Sequence, residues 1–100
     1  MSIPVVIAQT RRKTLGYQQI TDLSSAVKLA SRGAIMALIQ AETKDVRWRD
    51  DGVAPNATVG MLLAANSTFI YDGALSAIQF IETAGSAKLN ITYFGNDLEA

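Results

Sequence analysis

The segment "KLNITYF", Lys88 to Phe94, alternates without a break: Leu89, Ile91 and Tyr93 on one side, Lys88, Asn90 and Thr92 on the other. A period of two puts one set on each face of an extended chain, which makes this a half-buried β-strand. The same pattern recurs upstream. "AIQFIE" sets Ile78 and Phe80 against Gln79. "STFIYDG" is rich in β-formers and ends in Asp72-Gly73, a turn signal. "GAIMALIQAE" holds an apolar run from Ala34 to Ala41; its start at Gly33 and its place among short strands favour a central strand over a helix.

The N-terminal third follows the same reading. "IPVVIAQ" reads as an edge strand, because Pro4 cannot donate to a ladder, and "LGYQQIT" reads as another strand. "TDLSSAVKLA" fits two shapes. One is a short helix through Leu23, Val27 and Ala30, capped by Thr21 or Asp22. The other is a turn at "DLSS" followed by the strand "AVKLA", and this is the one preferred. The Gly/Ser link "TAGSA" between the last two strands predicts a hairpin. About eight short antiparallel strands, at roughly 8–12-residue spacing, predict an all-β fold: a compact, jelly-roll-like β-sandwich. The expected organisation is a single domain over residues 1–100, with an N-terminal arm of about 1–15 and a loose C-terminal tail, 95–100.

Composition narrows the chemistry. The chain has no histidine and no cysteine. Thiolate metal sites, disulfides and cysteine nucleophiles are thereby excluded, and most acid–base machinery loses its usual residue. The expectation is a non-enzymatic protein without a cofactor. Formal net charge is zero, so no global field draws the chain to nucleic acid. The apolar run Ile3 to Ala8 is short, broken by Pro4 and followed by the positive charges, unlike a secretory leader, and no apolar stretch reaches membrane-spanning length. A chain made and kept in the cytoplasm, or assembled from there, away from membranes, is expected; the sequons at Asn56, Asn66 and Asn90 then carry no meaning. Hydrophobic residues make up 49% and charged residues 18%, light charging for a small free monomer, which points to a buried subunit interface and a homo-oligomer, dimer or trimer.

The segment "DVRWRDDG", Asp45 to Gly52, is the strongest candidate site. On a strand, Val46 and Trp48 point inward and Arg47 and Arg49 outward, with Asp50-Asp51-Gly52 as the turn that follows. Two arginines side by side need partners, and Asp45 and Asp51 share their face by parity. An Arg-rich surface of this kind suits an interface, so Arg47, Arg49, Asp50 and Asp51 are candidate interface residues. Asp50 and Asp51 point opposite ways on a strand, which argues against an acid/base pair, and their spacing is not that of a calcium loop. Three further groups carry weaker signals. "RRK", Arg11 to Lys13, reads as a solvated loop. Tyr71, Tyr93 and Phe94 would make a sugar-stacking platform if exposed, but Tyr71 shares a face with Phe69, the pattern of core packing. Ile3, Val5 and Ile7 alternate in the N-terminal arm and are candidates to add a strand to a neighbour's sheet edge, with Pro4 limiting the pairing to one side.

The stretches "ALIQAETKDVRWRDDGVAPNATVGMLLAA" and "YDGALSAIQFIETAGSAKLNITYF" together resemble small β-rich virion proteins encoded among the structural genes of tailed bacteriophages. The pattern is a buried strand ending in "QAE", then "VRWRDDG", a P-x-A-x-x-G loop at Pro55 to Gly60, and a last hairpin ending in "LNITYF". It covers roughly residues 33 to 94; the first thirty match less well. The resemblance implies a capsid cement or decoration protein on the capsid exterior, partnered by the major capsid protein or other virion structural proteins. It implies, as alternatives, a neck, tail or baseplate accessory protein. A carbohydrate-binding module using exposed loops is the alternative of another class.

Overall fold

A computed structural model of the chain describes residues 11–97. Eight strands follow one another: β1 (Arg11–Ile20), β2 (Val27–Lys28), β3 (Met36–Glu42), β4 (Val46–Arg49), β5 (Met61–Leu63), β6 (Thr68–Tyr71), β7 (Gln79–Glu82) and β8 (Lys88–Asp97). They form two four-stranded sheets, ordered β1-β8-β3-β6 and β2-β7-β4-β5. The pairs β1·β8, β2·β7, β3·β6 and β4·β5 are those of one long hairpin folded at the β4–β5 loop. Rolling that hairpin up adds β3·β8 and β4·β7. All pairs are antiparallel, and the result is the jelly-roll form of a β-sandwich.

Alternation explains the core. Ala37, Ile39 and Ala41 of β3 and Leu89, Ile91 and Tyr93 of β8 are fully buried from one sheet; Val46 of β4 and Phe80 of β7, with Ile78 just before β7, are fully buried from the other. These apolar faces supply the hydrophobic driving force. The hydroxyl of Tyr93 is satisfied within the interior: it donates to Gln18 Oε1 and accepts from the Ala30 amide at 3.1 Å. β3 is central in its sheet, flanked by β8 and β6, as its apolar run predicts.

The segment after β1 takes the turn-then-strand form. Asp22 Oδ1 accepts from the amide and hydroxyl of Ser24 at 3.1 and 2.6 Å, closing an Asx turn, and Val27–Lys28 then pairs with β7. These bonds from Ser24 hold the Asp22 carboxyl below its ordinary pKa.

Two expectations change. β7 and β8 are not a hairpin: β7 pairs with β2 and β4, β8 with β1 and β3. The 83–87 link reverses the chain but carries it from one sheet to the other. It is pinned to the 43–45 link beside it by Thr83, which donates through amide and hydroxyl to Asp45 O at 3.2 and 3.1 Å, and by the Thr43 hydroxyl on Ser86 O at 2.6 Å. A turn signal encodes reversal, not the partner. The described part of the expected arm and tail is paired strand. Residues 11–15 lie in β1 and 95–97 in β8, with Arg11 opposite Asp97 and Lys13 opposite Gly95. A bulge at Leu15, between Thr14 and Gly16, re-phases β1 so that Gln18 and Ile20 face inward. The strand expected at "IPVVIAQ", with Ile3, Val5 and Ile7, lies outside the described residues.

Candidate functional site

The DVRWRDDG segment is Asp45, all of β4 and the start of the 50–60 loop. Its parity is as predicted. Val46 is fully buried, and Trp48 is half-buried against the core, stacked on Phe69 and edge-on to Tyr71 with centroids 5.4 and 6.0 Å away.

The two arginines take different partners. Arg49 forms a bidentate pair with Asp51, Nε to Oδ1 at 3.0 Å and Nη2 to Oδ2 at 2.5 Å. This fork holds the Asp51 carboxyl below its ordinary pKa and raises that of the guanidinium. Arg47 instead donates to two backbone carbonyls of the loop, Ala57 O at 3.2 Å and Gly60 O at 2.9 Å. The expected bridge from Asp45 is not made. Asp45 Oδ1 accepts from the Ala65 amide at 2.7 Å, because the β4–β5 pairing brings that amide past the start of β4.

Asp50 and Asp51, just past the end of β4, take different partners. Asp50 Oδ2 accepts from the Tyr71 hydroxyl at 2.8 Å. Burial, then this bond to a carboxylate, pushes the Tyr71 pKa up to about 12. Among the described residues no three His, Cys, Asp or Glu side chains come together to hold a metal ion.

The P-x-A-x-x-G loop is a clamped turn. Asn56 Oδ1 accepts from the amides of Thr58 and Val59 at 2.9 and 2.8 Å, and the Asn56 and Val59 backbones bond each other at 3.0 and 3.2 Å. Gly60 sits at φ +142°, where a Cβ would lie 3.1 Å from Trp48 O and from Arg47 Cβ. Arg47 thus ties the loop down over β4. Beside it, Trp48, Arg49, Asp50, Asp51, Val59, Gly60 and Met61 line an open hollow of about 380 Å³. Val59 and Met61 are 48% and 60% exposed, so the hollow has an apolar wall open to solvent beside the ion pair.

The aromatic platform is ruled out by burial: Tyr71 and Tyr93 both belong to the core. The exposed tyrosine is Tyr17, on the outer face of the β1-β8-β3-β6 sheet, a residue that sequence reading passed over. Around it lies a second group the sequence did not flag. Asn90 Oδ1 accepts from Tyr17 Oη at 2.5 Å and Gln19 Nε2 at 2.9 Å, and Asn90 Nδ2 donates to Gln40 Oε1 at 3.0 Å and Glu42 Oε1 at 2.9 Å. The network spans β1, β8 and β3, and its members come together only through strand register. Arg11 to Lys13, expected in a loop, stand exposed on β1, with Arg12 Nη1 donating to Asn96 Oδ1 at 3.0 Å.

Compared with protein-family models, curated proteins and solved structures, the chain has no significant match.

Proposed function

We propose that this is a non-enzymatic structural protein of a tailed-bacteriophage virion, acting as a capsid cement or decoration protein that bridges neighbouring major capsid subunits. The observation that carries the binding role is the hollow beside β4. Trp48, Arg49 and Met61 are residue types enriched in protein interfaces, and here they flank an exposed apolar wall. Arg49 enters such a contact already oriented by Asp51, which lowers the ordering cost of binding. The virion setting rests on the resemblance over residues 33–94. The jelly roll is compatible with it, since capsid proteins use this architecture, but lectins do as well, and a fold alone does not assign a role. An oligomer of the protein would hold several weak contacts at once and gain through effective concentration.

The test is location and docking. Mass spectrometry of separated heads and tails should find the protein in heads, and recombinant protein should co-sediment with empty capsids. Recovery with tails would instead make it a neck, tail or baseplate protein. Met61→Asp with Arg49→Ala should abolish co-sedimentation while leaving the fold intact. If deleting residues 2–10 abolishes it and the double variant does not, the contact belongs to Ile3, Val5 and Ile7.

A further inference from the structure

We propose that the outer face of the β1-β8-β3-β6 sheet is a binding site for a neutral sugar, a pyranose or short glycan laid across β1, β8 and β3. Tyr17, Gln19, Leu38, Gln40, Glu42, Thr68, Asn90 and Thr92 line a shallow dish of about 370 Å³ there, in the lower part of the ~300–1,000 Å³ range of small-molecule sites.

Register arranges these side chains in two rows. Tyr17 is opposite Thr92, Thr92 opposite Leu38, and Leu38 opposite Ile70. Tyr17, Leu38 and Ile70 are 57%, 39% and 64% exposed, so this first row is mainly apolar and aromatic and open to solvent, with the Thr92 hydroxyl set in it. In the next row Gln19 is opposite Asn90, Asn90 opposite Gln40, and Gln40 opposite Thr68. Rows two residues apart along a strand are separated by roughly 6–7 Å. The face thus sets an apolar strip beside a strip of amides. A pyranose has the same division, C–H groups on its ring faces and hydroxyls around its rim.

The hydrogen-bonding complement points the same way. Asn90 makes four bonds, two accepted and two donated, so its neighbours are held in place. Those bonds leave both N–H groups of Gln40, one N–H and the carbonyl of Gln19, the lone pairs of Tyr17 Oη and the second oxygen of Glu42 uncommitted to Asn90. Donors and acceptors are mixed, which suits hydroxyls, each of which donates and accepts. The lining carries one carboxylate and no cation, and Lys88 stands at the rim opposite Glu42. With Lys88 opposite Glu42 the formal charges of the face cancel, so nothing there selects an anionic ligand, and a metal ion would find a single carboxylate.

The site is independent of the hollow beside β4 and of any role in a virion. The test is a titration of the ¹⁵N-labelled full chain with glucose, galactose, mannose, N-acetylglucosamine and their homodisaccharides, read by NMR. Saturable shifts are expected at the side-chain amides of Gln19, Gln40 and Asn90. Tyr17→Ala and Gln40→Ala should each weaken that binding by about tenfold or more at an unchanged melting temperature. Should Tyr17→Ala loosen the sheet, Tyr17→Phe keeps the ring and should retain most of the binding. The proposal is overturned if none of these sugars gives saturable shifts at the three amides. Tighter binding of sulfated or sialylated sugars would also overturn it. So would shifts that follow protein concentration alone, which would mark the face as a contact for a second copy of the chain.

Discussion

Trp48 of β4 lies flat on Phe69 of β6, ring centroids 5.4 Å apart and planes 11° from parallel. The two strands belong to different sheets, so the stack joins the sandwich on the side where β5 and β6 are the edge strands. Tyr71 closes the group, edge-on to both rings. Trp48→Ala should cost about 2–4 kcal/mol, below a fully buried tryptophan because its ring is half-buried. The loss would show as a lower urea midpoint with an unchanged slope. Trp48→Phe should lose much less, and an unaltered midpoint in the alanine variant would mean that the stack contributes nothing.

Tyr71 gives the fold an alkaline limit. Its pKa is about 12 in the folded state against an ordinary value of 10.0, first through burial and then through its bond to Asp50. Because the folded value is the higher one, the stabilisation is complete below about pH 10 and is lost as pH rises through about 12. Burial raises Tyr93 as well as Tyr71, so phenolate absorbance should show both titrating above the ordinary tyrosine value, and Asp50→Asn should move only the Tyr71 step downward. If the Tyr71 step is unchanged in Asp50→Asn, the carboxylate plays no part.

Arg47 holds the 50–60 loop through two carbonyls, a task for a guanidinium fork. Arg47→Ala should cost about 1–2 kcal/mol. It should also speed proteolytic nicking within residues 53–59. Arg47→Lys should nick almost as fast, since one ammonium does not reproduce the fork. Equal cleavage rates in wild type and both variants would remove the clamp.

Gly60 is the one residue type that fits the end of this loop. An added Cβ would press on Trp48 O, Arg47 Cβ and Pro55 Cβ at a backbone angle that other residues rarely adopt. Gly60→Ala should destabilise by about 1–3 kcal/mol, seen in thermal melting. A melting temperature at or above wild type would show that the loop re-forms without strain.

Asn90 tests the outer face of the other sheet. Replacing it with leucine removes the partner of Tyr17, Gln19, Gln40 and Glu42 together. The face is open to water, which replaces those bonds, so the loss of stability should stay near 1 kcal/mol. The larger effect should be on the side-chain amide resonances of Gln19 and Gln40, which should narrow in dispersion as the side chains gain freedom. Unchanged amide shifts would show that Asn90 does not organise its neighbours.

Strand identity and facing were legible from residue order. Leu89, Ile91 and Tyr93 are buried, and Lys88, Asn90 and Thr92 are not, as alternation requires. The same holds for Val46 and for Ile78 and Phe80. The reason is local: in an extended chain a residue's face depends only on its parity with its neighbours. For Trp48 parity gave the direction but not the depth, because depth depends on Phe69 and Tyr71 arriving from the other sheet. The same limit applied to Asp45, whose expected arginine partner lost to the Ala65 amide.

Residue order alone determined that this chain forms strands, most with one apolar face, and where Asp-Gly and Gly/Ser signals turn the chain. Tertiary structure decided which strands pair. It took β7 and β8 from one turn into two different sheets, and it brought Tyr17, Gln40, Glu42 and Asn90 together from three strands distant in sequence. Periodicity acts over neighbouring residues, whereas register is set by how whole apolar faces fit when the long hairpin rolls up. A side chain on the outer face gains its neighbours across the ladder only after that non-local choice is made.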